Sequence, residues 1–569
     1  MLKSSIPCFI AAAAVSANAA TIIVEGDITT SVNWTKDNVY SLRGQVFVMP
    51  GGTISIEAGT VIASEIGGSL AITRGAMIDC NGSPSEPIIF TSMVDYNTWT
   101  SSNPRGQWRA AANEWGNLTI MGQAYIGKYG NGAPATNTAA PNSGNYSNME
   151  GLVASGPTDT RVRYGGGNDN DDSGSLTYTS FCYGGKVTAL NTELNGLSLG
   201  GVGRNTEIDS IEIMNNVDDG IEIWGGTVNL KRFAIWNIGD DSIDLDHGWR
   251  GKAQFGLVVQ GYSLNAASGS GVCDSMLESD GAAKADAQPV TTVALYNMTL
   301  IGQPASGKHA IKYRDGARMQ VMNSIIMNAG GQIVRNDNTD GEATDGQTGY
   351  GANGTLSFAQ TWTTASTVYS TVNPFTNPSA AYTSQVAGNL NQIKDTVFFS
   401  NLNASAYTEA NARGVFATAN NNVQSSTLPI ASITRGPAQT LTGVSISPVI
   451  ALDPRAAGDA ETAVASAPND GFFEPVSYRG AFAPDANWMC GWTAAHAYGY
   501  SIEPPNGCAT ACFGDIDGSL FVDSGDVAFM LLDFGPCPGC TADLDGSEFV
   551  DFGDVALVLL STGPCTNGK

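Results

Sequence analysis

Two twelve-residue stretches near the end of the chain place oxygen-bearing residues at the same spacing twice. Asp515, Asp517, Ser519, Phe521, Asp523 and Asp526 stand at positions 1, 3, 5, 7, 9 and 12 of the first. Asp543, Asp545, Ser547, Phe549, Asp551 and Asp554 repeat them 28 residues later. Side-chain oxygens at five positions and a backbone carbonyl at the seventh make the ligand pattern of a calcium loop. The clustered carboxylates repel one another without a divalent cation, so a Ca2+ ion is expected in each stretch. Position 6, where glycine usually supplies the sharp bend, holds Leu520 and Glu548, which is expected to alter affinity or geometry.

A second set of acids lies in the middle of the chain. Residues 208–215 are echoed by 230–237, and 218–224 by 240–246, both 22 residues on. Alternate residues of a strand face opposite ways, so if Ile221 and Ile223 point inward, Glu222 and Trp224 point out. Stacking the copies sets Ser198, Glu222 and Asp244 in one outward column and Gly200, Trp224 and Asp246 in the next. Residues 276–280 and 310–314 fit the same pattern, 34 apart. They extend the first column to Glu278 and Lys312, and the second to Asp280 and Arg314. Rungs about 4.8 Å apart force like charges together, so a further calcium ion or a shared proton is expected on this ladder. The competing reading is turn chemistry: Asp and Asn before Gly or Ser form turns, and a solenoid repeats its turns.

The elements that must carry these columns are short. Residues 46–48, 53–56, 70–73 and 88–91 are β-branched runs broken by Gly, Asn and Asp, and no helix-length amphipathic stretch interrupts them. A period near 22 residues with two or three strands per repeat is that of a parallel β-helix, whose turns bury their apolar side chains against one another. Behind each calcium loop, residues 527–532 and 555–560 read as apolar helices that pack together. The expected fold is therefore an all-β parallel solenoid with a small C-terminal α-helical calcium-loop domain.

Composition agrees with an exported protein that meets cations. The 569 residues carry 27 Lys+Arg against 53 Asp+Glu, a formal charge of −26, which makes nucleic acid an unsuitable partner. Lys3, the apolar run 6–15 and Ala17-Asn18-Ala19 form a signal peptide over 1–19, and no apolar run is long enough to span a bilayer. Secretion to the exterior or the cell surface is expected, with a body over 20–505 and a module over 506–569. Cys490, Cys508, Cys512, Cys537, Cys540 and Cys565 crowd the end, where export makes disulfides the default. The last four allow three connectivities; symmetry favours Cys512 with Cys537 and Cys540 with Cys565 without deciding it.

The repeats resemble the right-handed β-helices of the pectate-lyase-like superfamily. Residues 200–203, 219–222, 239–241 and 472–482 are similar to an exported bacterial β-helix family that has no established activity. The superfamily's lyases line one parallel sheet with calcium-binding acids and a basic residue. That likeness implies calcium or sugar positioning by Glu222, Asp244, Asp246, Glu278 and Asp280, with Lys312 or Arg314 as base. Asn216-Val217-Asp218 and Gly239-Asp240-Asp241 resemble the acids of inverting polygalacturonases, which implies Asp240 and Asp241 as catalytic acids. The tandem loops resemble dockerins, because position 12 is Asp and a helix follows each loop without one preceding it. A cohesin-like or other surface protein is the partner this implies, although Ser524-Gly525 and Phe552-Gly553 depart from the usual partner-selecting pair.

Together these readings make an exported protein that binds or cleaves acidic polysaccharide while docked to a surface or complex. If it is an enzyme, it is a polysaccharide lyase or glycoside hydrolase. The alternative is a non-catalytic surface or adhesion protein. Trp108, Trp115 and Trp249 are candidates for stacking on sugar rings or for the core. His247, His309 and His496 are isolated in sequence and are not expected to bind metal, and Asp169-Asn170-Asp171-Asp172 reads as a solvated loop.

Overall fold

The 22-residue echo folds as stacked rungs. Across the parallel strands Ile221–Gly226 and Ile243–Trp249, Ile221 pairs with Ile243, Glu222 with Asp244, Ile223 with Leu245 and Trp224 with Asp246. The computed structural model describes residues 20–127, 145–189, 192–261, 274–282, 289–305, 307–314, 316–336, 358, 360–363, 390–401, 415–441, 444–504, 507–508, 514–516, 521–537, 540, 542–545, 547 and 549–564. The expected signal peptide 1–19, Asp517, Ser519, Cys512 and Cys565 lie outside them.

Nine of these strands form one parallel sheet, from Gln45–Val48 through Leu197–Val202 to Val334–Asn336. A second, 18-stranded sheet forms the rest of the coil wall. It is bent along its length by a column of left-handed residues. Tyr178, Ser210, Arg232 and Phe255 hold φ between 44° and 62° in mid-strand, and Asn297, Asn323, Asp395 and Asn421 continue the corner. Asn and Asp tolerate this region best, which is why later rungs use them. Between the sheets, Ile213, Ile235, Val258, Leu300, Ile326 and Phe398 stack as one buried column. Each rung thus buries its apolar residues on its neighbours, as a solenoid requires.

The last rung is Val423–Ser425. Beyond it the chain runs back along the outside of the larger sheet, an arrangement the strand spacing did not announce. Ile430, Leu452, Phe482, Met489 and Ala494 pack on Met214, Trp236, Leu257, Ile301 and Met327. Residues 472–482, noted in the sequence as a family mark, are a mechanical strap. Glu474 pairs with Arg232 and Lys231, and Asp470 with Lys252. Asn297 Nδ2 donates to the Tyr478 carbonyl at 2.9 Å. Arg479, 2% exposed, donates to the carbonyls of Asp395, Asp459 and Thr462 at 2.7, 3.0 and 3.1 Å. Further on, the buried Glu212 carboxylate accepts the Ala494 and Ala495 N–H groups at 2.6 and 2.8 Å, which docks the short helix Ala494–Ala497.

The C-terminal segment holds two loop–helix units. Asp523 and Asp551 cap the helices Ser524–Leu532 and Phe552–Ser561, each in a capping box with the acid three residues on. The units cross-pair: Phe521–Val522 runs antiparallel to Gly563–Pro564, and Gly535–Pro536 to Phe549–Val550. Val522, Met530, Ala542, Val550 and Val558 form their shared core.

The disulfides correct one expectation. Cys537 bonds Cys540, not Cys512, because the Cys540 N–H donates to the Cys537 carbonyl and holds the Cα atoms 5.6 Å apart, within bridging range. Cys490 bonds Cys508. Cys80 and Cys182 are buried free thiols. Among the described residues no helix is long and apolar enough to cross a membrane.

Candidate functional site

The outward column of the nine-stranded sheet has the register that strand alternation implies. Ser198 pairs with Glu222, Glu222 with Asp244, Asp244 with Glu278, Glu278 with Lys312 and Lys312 with Arg335. Gly200, Trp224 and Asp246 pair in the neighbouring column. The Asp280 N–H donates to the Leu245 carbonyl at 2.6 Å and the Arg314 N–H to that of Ser279 at 2.9 Å, which carries the column on. Arg335 was missed because its rung lies beyond the self-matching repeats.

Beside the columns runs a ladder of turn residues. Asn195 Oδ1 accepts the Asp219 N–H, Asp219 Oδ1 the Asp241 N–H, and Asp241 Oδ1 the Ser275 N–H, at 3.2, 2.9 and 2.6 Å. Each carboxyl or amide therefore caps the rung above, and the turn-forming reading holds for this column. Asp219 belongs with the other acids in space. The signal for it was present, since it is the 22-residue counterpart of Asp241.

One end of the ladder neutralises itself. Lys312 Nζ lies 2.6 Å from Glu278 Oε2, and Arg314 lies 2.6 Å from Glu278 Oε1 and 3.1 Å from Asp280 Oδ2. Burial alone would raise the Glu278 pKa, but a hydrogen bond from Asp241 and the two cations bring it down to about 2. Burial opposes charge on Lys312 as well, yet Glu278 and Asp241 outweigh it and lift its pKa. A proton-abstracting lysine must be neutral, and these neighbours hold Lys312 charged. Asp241 is pushed well above the carboxylate range, by burial first and then by Glu278.

Toward the other end the acids crowd, and among the described residues the ion pair there is Lys308 with Asp274, at 3.3 Å. One oxygen from each of Asp219, Glu222 and Asp244 lies within 4.8 Å of the other two, and the same holds for Asp218, Asp219 and Asp240 and for Asp240, Asp241 and Asp274. Burial first, then the neighbouring carboxylates, pushes Asp219, Glu222 and Asp244 well above their usual range, and Asp240 to about 7. Asn195 donates to Glu222 at 2.5 Å, whereas Asp244 Oδ1 is buried with no hydrogen-bond partner. An orphaned carboxylate oxygen among converging hard oxygens fits a calcium ion. Asp219, Glu222 and Asp244 are the residues that would hold it.

A flap covers the sheet upstream of these acids. Met149, Val162 and Tyr164 pack on the outward residues Phe47, Ala71, Met121 and Trp224. Tyr164 Oη lies 2.7 Å from His247 Nδ1, and His247 Nε2 lies 3.0 Å from Asp246 Oδ2. His247 adopts φ 49°, in register with Gly201 and Gly225 at the same corner, which lets its ring reach both partners. Sequence spacing cannot show this contact, because Tyr164 and His247 are 83 residues apart.

Other candidates fall to the core. Trp115 and Trp249 are 0% and 1% exposed and donate to the carbonyls of Cys182 and Val228, and Trp108 donates to Asn215 Oδ1. Trp115 and Trp249 are therefore closed to a sugar, while Trp108 is half-buried with an edge contact to Tyr500. Asp169 is no solvated turn either, since it accepts both arms of the buried Arg250 guanidinium. His309 lies on the rung beyond Asp274, its carbonyl accepting the Met276 N–H at 3.2 Å, and burial lowers its pKa to about 4 against the charge of Asp274, while His496 Nε2 lies 3.5 Å from the Cys490 sulfur.

In the C-terminal loops the described ligand residues converge. Ser547 N–H donates to Asp543 Oδ1 at 2.9 Å and to Asp545 Oδ1 at 3.0 Å, which gathers the two carboxylates at one point. Asp554 closes the loop, accepting the Leu544 and Asp545 N–H groups on one oxygen and the Asp551 N–H on the other. Asp526 does the same for Ile516 and Asp523. This all-oxygen set fits calcium.

Parallel rungs, a polar outward column and an apolar stack within define a parallel β-helix protein. The family model described as "Pectate-lyase like beta helix domain" matches residues 26–397, and the chain belongs to that family. No curated protein and no solved structure matches it.

Proposed function

We propose that this is an exported β-helix protein that captures acidic polysaccharide through a cation held by Asp219, Glu222 and Asp244. The observation that carries the reading is the convergence of these three carboxylates, with Asp244 Oδ1 buried and without a hydrogen-bond partner. A bound calcium ion would supply the positive charge that a uronate carboxylate needs on an otherwise acidic face. Asp246, Glu278 and Asp280 lie beside it in register to position the sugar. Cleavage by a basic residue is disfavoured by the pairing of Lys312 and Arg314 with Glu278, so the reading is one of binding. A hydrolytic variant would use Asp240, whose pKa near 7 suits a general acid.

The body over 20–505 is, in this reading, tethered through the module over 506–569, a dockerin-like unit with two calcium ions. Leu532 and Leu560, 82% and 84% exposed, stand at equivalent places on its two helices and give a cohesin-like partner an apolar contact. A second reading, a non-catalytic surface scaffold, is favoured by the capping role of Asp219 and Asp241.

Incubation of the purified chain with polygalacturonate, alginate and neutral glycans, in calcium or in chelator, separates the readings. The account expects acidic glycans to be retained more strongly in calcium than in chelator, without unsaturated product. Equal behaviour in chelator and calcium would remove the cation reading. Reducing ends without unsaturation would select the hydrolase.

A further inference from the structure

Two arginines at the upstream end of the same sheet stand together and, among the described residues, pair with no carboxylate, although Asp171 acts on Arg74 through its charge. Arg74 lies two residues beyond the strand Ser69–Ile72, and Arg163 lies in the flap strand Arg163–Tyr164. Their guanidinium carbons sit 5.7 and 4.4 Å from the centre of the Tyr146 ring. Among the described residues neither forms an ion pair, although the chain has twice as many acids as bases. Arg161, two residues from Arg163, is bound by both Asp159 and Asp27. Arg74 donates to the Gly165 carbonyl at 2.8 Å, while Arg163 Nε is buried without a hydrogen-bond partner. Burial and then the charge of Arg163 both lower the Arg74 pKa, so the pair is held together against its own repulsion.

We propose that Arg74, Arg163 and Tyr146 form a second subsite, one that binds a carboxylate of an acidic saccharide directly. The planar guanidinium fork matches a carboxylate in two-point contact, and an anion between two such groups removes the repulsion and satisfies the orphaned N–H. The Tyr146 ring holds the forks in place by cation–π contact and presents its edge to a sugar. From the strand Ser69–Ile72, pairings run to Asn117–Met121, then Leu197–Val202, then Ile221–Gly226. The subsite is therefore three rungs, roughly 14 Å, from Glu222 along the sheet. A uronate chain of several residues spans that distance, with one carboxylate on the arginines and another at the cation. This inference deepens the reading of acidic polysaccharide capture and rests on it for the second contact.

The test is calorimetric titration of the full chain with a defined galacturonate oligosaccharide, with calcium and with chelator. Arg74→Ala/Arg163→Ala is expected to weaken binding roughly tenfold to a hundredfold in both buffers and to flatten its salt dependence. Arg163→Lys, which keeps the charge but loses the fork, is expected to recover only part of it. Glu222→Gln/Asp244→Asn should instead remove the calcium-dependent part alone. Thermal melts of the four proteins serve as the folding control. Unchanged affinity in the arginine variant, with loss in the acid variant, would overturn this subsite and leave the proposed function standing. Loss in the arginine variant, with none in the acid variant, would support the subsite and overturn the cation reading. Absence of binding by the wild-type chain would overturn both.

Discussion

Lys312 and Glu278 are register partners on neighbouring rungs, with the ammonium nitrogen 2.6 Å from the carboxylate oxygen. Glu278 is 2% exposed, so removing the lysine leaves a buried carboxylate with Arg314 as its main counter-charge. Lys312→Met should cost about 3 kcal/mol in urea unfolding. The pH dependence sharpens the test. A carboxyl whose pKa is depressed to about 2 gives stability present above its unfolded value and lost as pH falls toward 2. The variant, whose Glu278 carboxyl is less depressed, should lose less stability than the wild type as pH falls from about 5 toward 2. Coincident acid limbs would show that the pair is not formed.

The acids at the other end have the opposite sign. Asp219, Glu222 and Asp244 have raised pKa values in the folded chain, so in chelator their contribution is present below the unfolded value, about pH 4, and is lost as pH rises. The melting temperature in chelator should fall between pH 5 and pH 8. Calcium should flatten that fall by replacing the protons. A melting temperature in chelator that rises over this range would contradict the account.

The strap makes its own prediction. Arg479→Ala leaves the carbonyls of Asp395, Asp459 and Thr462 without their donor and opens a void beneath the strap. A loss of about 3 kcal/mol is expected, with Arg479→Lys recovering little, because one ammonium cannot reproduce the fork. Hydrogen exchange should quicken across residues 460–482 before it does in the coils. Uniform exchange in the variant would argue that the strap is not a separate cooperative unit.

Reduction should act near the end of the body. Cys490–Cys508 closes a loop of sequence separation 18, which corresponds to about 3 kcal/mol of stabilisation on the chain-entropy account. Cys490→Ser should lower the melting temperature of the full chain without changing calcium binding by the C-terminal loops. A calcium affinity that falls with the bond would mean that the module depends on this bridge.

How much of this was legible varied with distance in sequence. Solenoid neighbours recur at short offsets, so strand alternation, the 22-residue echo of Glu222 in Asp244 and the 34-residue spacing of Glu278 and Lys312 were enough for their register. The same local logic gave the helices behind the two acidic loops. What joins remote segments was hidden. The strap meets Arg232 from Glu474, 242 residues away, and the flap meets His247 from Tyr164. Neither contact leaves a periodic trace. Chemistry was hidden for another reason: Lys312 reads as a base in isolation, and only its geometry to Glu278 and Asp241 shows that its charge is held.

The central claim is that Asp219, Glu222 and Asp244 together hold a cation. Calcium titration of the full chain, wild type against Glu222→Gln/Asp244→Asn, tests it most directly. The account predicts that the variant binds one calcium ion fewer, keeps the ions of its C-terminal loops, and retains polygalacturonate no better in calcium than in chelator. An unchanged calcium stoichiometry, with unchanged retention, would contradict it.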